Sequence, residues 1–245
     1  MKKFTAVLVI ALLSFSVAMA QDYTLFMTIE LDPAPGKALD LQNGVKAHNE
    51  KYHKDGSTKG YLWSVLSGPR SGKYIWGQGP MPWEEMDNPL GDEHLADWEK
   101  NVAAHCKNVS NFNYMRRDDE RSYNPENQVT ASKIVAKIFT VTANGGARSA
   151  LLDALGEIGK VFKAKKYSQA RRVYTSVFNL QNGQEVALVY PFDSFKKFET
   201  STGLPQGFQQ DFEEINGFGS WQRLVVTPIT ENSDGFFDEV RVLVE

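Results

Sequence analysis

YLWSVLSGPRSGKYIWGQGPMPWEEM, residues 61–86, reads as an apolar run, a Gly/Pro turn, a second aromatic run and a Pro-initiated helix start. About 112 residues later the pattern recurs over 173–198 as VYTSVFNLQNGQEVALVYPFDSFKKF. Ser64 and Val65 then correspond to Ser176 and Val177, Trp83 to Phe195, and Met86 to Phe198. A strand–turn–strand–helix unit used twice points to an internal duplication. Both halves also lack the alternation expected of a sheet with one wet face. Tyr61, Trp63 and Val65 point one way and Leu62 and Leu66 the other; Val173 and Val177 oppose Tyr174 and Phe178. Both faces of each hairpin are therefore expected to be covered.

Outward from this stretch, the order of elements repeats. Strands are expected at 24–31, in the hairpin, and at 110–116, with helices at 37–54 and 93–106. Leu41, Val45, His48 and Tyr52 share one face of the first helix. Residues 118–130, DDERSYNPENQVT, are polar and aperiodic and read as a linker. Beyond it come a strand at 133–141, a helix at 147–162, and a hairpin turning at Asn182-Gly183. Helical pieces follow at 192–199 and 208–215, then a closing strand at 221–227. In the helix at 147–162, Leu151, Leu155, Ile158 and Phe162 lie in register. A further strand at 236–244 has no counterpart in the first half. The expected organisation is residues 21–117, a linker at 118–130, and residues 131–245.

Residues 1–20 stand apart. Lys2 and Lys3 precede an apolar run that ends in Ala18-Met19-Ala20, the pattern of a cleaved signal peptide. The mature chain is expected in the periplasm or outside the cell, with 225 of the 245 residues, which is enough to bury about 70% of its unfolded surface. Its single cysteine, Cys106, cannot form an internal disulfide and reads as packed and inert. Loss of Lys2 and Lys3 moves the net charge from −3 to −5. The only basic cluster, Lys163, Lys165, Lys166, Arg171 and Arg172, reads as a solvated helix end and loop, so nucleic acid is not expected as a partner. No later stretch is apolar and long enough to span a membrane.

A duplicated β-α-β-β-α-β chain resembles the dimeric α+β barrel superfamily, which includes the antibiotic-biosynthesis-monooxygenase-like domains. The residues carrying the resemblance are 23–36, 38–53 and 61–83, with their echoes. It implies an α+β fold in which two ferredoxin-like repeats pack their sheets face to face. Two repeats in one chain can close a barrel alone, so a monomer is expected. Members include cofactor-free oxygenases and haem-binding proteins, so the resemblance fixes neither a cofactor nor a catalytic residue.

The candidate ligand-binding residues are Tyr61, Trp63, Tyr74, Trp76, His48 and His105. The four aromatics form a pair on each hairpin strand, suited to core packing or to the wall of an apolar pocket. By the 112-residue offset, Val173, Thr175, Val186 and Leu188 occupy the matching positions. All four histidines lie in the first half. His48 and His105 are placed under a helix, as buried neutral rings or as proton carriers or axial ligands. His53 and His94 are expected to face solvent. No H-x-x-x-H or H-E-x-x-H spacing occurs, and five-residue spacing does not align His48 with His53, so no metal site is expected. Three functions are compatible with this reading: binding of a small apolar or aromatic ligand in a barrel cavity, a monooxygenase-like oxidoreductase (cofactor-free or haem-dependent), and an interaction domain that docks a partner on an unpaired strand at 236–244.

Overall fold

The computed structural model describes residues 25–125 and 131–244. The proposed signal peptide and the end of the proposed linker, 126–130, lie outside these residues. The first half contributes β1 (Leu25–Pro33), α1 (Ala38–Tyr52), β2 (Gly60–Val65), β3 (Tyr74–Met81), α2 (Asp92–Asn101), β4 (Cys106–Val109) and β5 (Asn113–Tyr123). The second contributes β6 (Lys133–Val141), α3 (Ala147–Lys165), β7 (Arg171–Ser176), β8 (Val186–Phe192), α4 (Phe198–Ser201), α5 (Phe208–Asn216), α6 (Thr227–Asn232) and β9 (Ser233–Leu243). Hydrogen bonding runs β3-β2-β9-β6-β8-β7-β5-β1 and returns to β3, which closes an eight-stranded antiparallel barrel. The short β4 pairs with the far end of β1.

Strand alternation divides the apolar residues between two environments. Inside the barrel, Met115, Ala136, Ile138, Ala187 and Val189 form a small core. Outside, α1 and α2 cover Ile29, Leu31, Leu62, Tyr74 and Trp76, with Leu41, Val45 and Val102 supplied from the helical side. The larger outer core lies under α3, α5 and α6. There Leu151, Leu155, Ile158 and Phe162 are buried together, as their spacing requires, against Val173, Val186 and Leu188.

Four expectations change. Residues 221–227 are helical: Trp221 has φ −56° and ψ −50°, and a π-helical turn, Gln222–Val226, leads into α6. Trp221 packs on Phe208 and Phe212, and the place beside β6 that this segment would have filled is taken by β9. Packing thus overrides the β-branched propensity of Val225, Val226 and Thr227. Second, β9 is not an extra edge. It pairs with β6 on one side, Val135 opposite Val240, and with β2 on the other, Ser64 opposite Val242. The expected docking edge does not exist.

Third, β5 continues through Asp118 to Tyr123, where the sequence suggested a linker. Its polar side chains tie the strand together: Arg121 Nη1 donates to Asp118 Oδ2 at 2.9 Å, and the Ser122 hydroxyl to the Asp118 carbonyl. Fourth, Arg171 and Arg172 are buried in β7 instead of solvated. Arg171 Nη1 donates to the carbonyls of Leu155, at 3.0 Å, and Arg121, at 3.1 Å, and so ties α3 to β5.

Cys106 begins β4, half buried, and its thiol faces the Val102 carbonyl at 3.6 Å. Burial, reinforced by the Asp32 carboxylate, pushes it up to about 11. With little thiolate present, Cys106 is expected to alkylate on the order of 100-fold more slowly than free cysteine at pH 8. Mass spectrometry over a time course with iodoacetamide measures this directly, and a rate equal to that of free cysteine refutes it.

Candidate functional site

The barrel encloses a cavity of about 750 Å³. Its walls follow from the pleat. Along β2, Tyr61 and Trp63 point inward, so Leu62 points to the helices. Along β3 the inward residues include Ile75 and Gly77, and Tyr74 and Trp76 face outward. The two aromatic pairs therefore separate. Tyr61 and Trp63 line the cavity. Trp76 lies under α1, where its indole N–H donates to Asn49 Oδ1 at 2.9 Å, and Tyr74 receives a hydrogen bond from Gln42 at 2.6 Å.

In the second half the cavity wall is Arg172 and Tyr174, not Val173 and Thr175. Val173 faces the helix layer. The register shows why: Tyr61 sits opposite Gly77 and Arg172 opposite Val189, so β2 matches β7 with an offset of 111, one less than the hairpin turns suggest. A slip of one residue exchanges the two faces of a strand.

Sequence reasoning missed the charged part of this wall. Arg70, Arg172, Arg241 and Glu30 line the cavity alongside the aromatics. Arg70 and Arg241 both grip Glu239, a fully buried carboxylate on β9, at 2.5 and 2.8 Å. Arg70 also approaches Glu30 at 3.7 Å, and Lys73 reaches the same carboxylate at 2.5 Å. The signal was faint, since these residues come from β1, the hairpin turn and the last strand.

The second constellation lies outside the barrel, between α1 and α2. His48 is fully buried on α1, as its helical face predicts. His53 is also buried, contrary to expectation, and His94 is half buried. The Nε2 atom of His94 lies 3.2 Å from that of His48 and 3.0 Å from that of His53. The spacing rule failed because His53 is not on the helix. It is the C-cap, with φ −133° and ψ 34°, and the chain bends there so that its ring turns back toward α2.

Each ring is braced. His48 Nδ1 is 2.7 Å from Asp97 Oδ2, and His53 Nδ1 is 3.1 Å from the Thr58 carbonyl. Trp98 packs edge-on to His48 and Trp76 on His53, both with centroids 5.2 Å apart. Burial holds the proton affinity of all three rings below the usual range, bringing His53 to about 4; the Asp97 hydrogen bond partly opposes this at His48. Burial thus disfavours the charged form of each ring, and the neutral imidazole is the form that coordinates metal ions. His105 is not among them. It ends a short 3-10 turn, Ala103–His105, beside Gly44 of α1.

The fold, a closed antiparallel barrel with helices outside and a cavity within, is shared with solved structures of low sequence identity. A candidate monooxygenase of Lactobacillus acidophilus shares it with a TM-score of 0.55 and 9% identity, over 89% of this chain and 93% of that one. An anthrone oxidase-like protein matches with a TM-score of 0.55 and 15% identity, over 92% and 93% of the two chains. A candidate monooxygenase of Fusobacterium nucleatum gives 0.54 and 8%, over 90% and 92%. No family model and no curated protein sequence matches the chain.

Proposed function

We propose that this chain is an exported, internally duplicated α+β barrel that binds a small planar aromatic ligand carrying an anionic group. The cavity carries this reading: Tyr61, Trp63 and Tyr174 offer ring faces, and three arginines against two carboxylates, Glu30 on the wall and Glu239 behind Arg70 and Arg241, leave an excess of positive charge that favours an anion. Duplication is supported by the pairing order, which is β2-β3-β1-β5 in the first half and β7-β8-β6-β9 in the second. The proposed units are 21–117 and 131–245, joined through 118–130. Export rests on residues 1–20. An intact mass beginning at Gln21 supports it, and a retained leader in protein from its natural host counts against it.

The ligand reading is tested with 1-naphthoate as the probe. It is expected to quench the emission of Trp63, and Trp63→Phe to remove most of that quenching. Ala136→Phe, which fills the cavity from β6, is expected to weaken binding tenfold or more, a change of at least about 1.4 kcal/mol. Equal affinity in the Ala136→Phe protein sinks the reading.

The names of the structural neighbours favour a second reading, oxidation of the bound aromatic by dioxygen. Neither His48 nor His105 faces the cavity, and no histidine of the chain lines it. A haem placed there has no imidazole within the wall, so the residues do not fit a histidine-ligated haem. The cofactor-free form is the better supported of the two. Oxygen uptake with anthrone as the probe tests it, and an uptake rate equal to the rate without protein removes it.

A further inference from the structure

We propose that His48, His53 and His94 bind a divalent transition-metal ion of the zinc class, in the helix layer outside the barrel. The site is independent of the cavity and of any reaction there.

The case rests on where the lone pairs point. The partners of His48 Nδ1 and His53 Nδ1 are a carboxylate and a backbone carbonyl, which only accept hydrogen bonds. Each Nδ1 must therefore carry the ring proton, and each Nε2 presents a bare lone pair to His94. His94 Nε2 stands between them, at 3.2 and 3.0 Å. It holds at most one hydrogen and can donate it in one direction only. One of the two close N···N contacts is thus lone pair against lone pair, a repulsive arrangement in a buried place. A cation at the point of convergence removes the conflict, because all three nitrogens then donate to it.

The dimensions agree. A tetrahedral ion with metal–nitrogen bonds of about 2.0 Å separates its ligand nitrogens by about 3.3 Å. Two of the separations are already within a few tenths of that, and all three donor atoms lie within 4.8 Å of one another. Three imidazole donors suit zinc, copper, nickel or cobalt and not the hard cations calcium and magnesium. The bracing of His48 by Asp97 and of His53 by Thr58 is the outer support that fixes ring orientation in histidine metal sites. Three protein ligands leave a further position for water.

The test uses the purified, EDTA-treated chain, titrated calorimetrically with zinc chloride and followed in the visible range with cobalt chloride. We expect one zinc ion per chain, and a cobalt spectrum of tetrahedral intensity. His94→Ala, at a half-buried position that tolerates truncation, should weaken zinc binding at least about 100-fold. Asp97→Ala, which removes the brace on His48 but no ligand atom, should weaken it about 10- to 100-fold. His105→Ala should leave it unchanged. Circular dichroism verifies that each variant is folded. No zinc binding, zinc affinity unaffected by His94→Ala, or a cobalt spectrum of octahedral type would each overturn the site.

Discussion

Glu239→Ala is expected to destabilise the fold by about 3–5 kcal/mol, the largest effect of the single substitutions proposed for this chain. Glu239 is fully buried, on the same face of β9 as Phe237 and Arg241. It accepts from Arg70 Nε at 2.5 Å and Nη2 at 2.9 Å, and from Arg241 Nε at 3.0 Å and Nη2 at 2.8 Å. Both guanidinium groups are largely removed from solvent, at 22% and 13% exposure, so neither recovers full hydration when the carboxylate is lost. The clamp also has a structural task. Arg70 belongs to the turn between β2 and β3, so Glu239 fastens that turn to β9 across one seam of the barrel. Urea unfolding followed by circular dichroism measures the loss. Arg70→Met combined with Glu239→Leu should lose less than Glu239→Ala alone, because no unpaired charge is left at Arg70 and the cavity is refilled. A cost under about 1 kcal/mol for Glu239→Ala would show that the pair contributes nothing net.

Gly44→Ala is expected to cost about 3 kcal/mol, although glycine to alanine in an ordinary helix interior gains about 1 kcal/mol. A Cβ at Gly44 would lie 1.7 Å from the Asn101 carbonyl oxygen and 2.9 Å from its carbon. Both are backbone atoms at the end of α2, which no side-chain rotation can clear. The helices must move apart. Since His48 rides on α1 and His94 on α2, the same substitution should weaken zinc binding as well as stability. Gly145→Ala is the control, at a position where an added Cβ meets nothing within 4 Å, and it should stay within about 0.5 kcal/mol of the parent. Equal stability of the two variants would refute the close-approach account.

The contrast between these positions explains what the sequence could disclose. The helix at 147–162 and the Asn182-Gly183 turn depend on local periodicity and turn chemistry, and both stand in the structure. The two-faced apolar pattern of residues 61–66 and 173–178 correctly required cover on both sides of the barrel wall. Which residue faced which side depended on hairpin register, and there a single residue separates Tyr174 from Val173. The segment at 221–227 looked like a strand because its side chains suit one; only the competing β9, distant in sequence, decides otherwise. His48 was legible as a buried ring on a helix face. His53 was not, because its direction is set by a cap bend instead of by helical spacing. The clamp of Arg70, Arg241 and Glu239 gathers residues from opposite parts of the chain, and no local pattern announces such a group.

The position of β9 in the barrel wall also sets an order of events during synthesis. Its partner β2 emerges early, yet Trp63 has no neighbour on that side until Leu243 arrives. Every strand before β9 can pair as it is made, but the ring stays open until the last eleven residues of strand are in place. Contacts so remote in sequence form slowly. The cavity is therefore the last part of the molecule to exist, and a chain halted before Ser233 has a sheet with two raw edges and no interior at all.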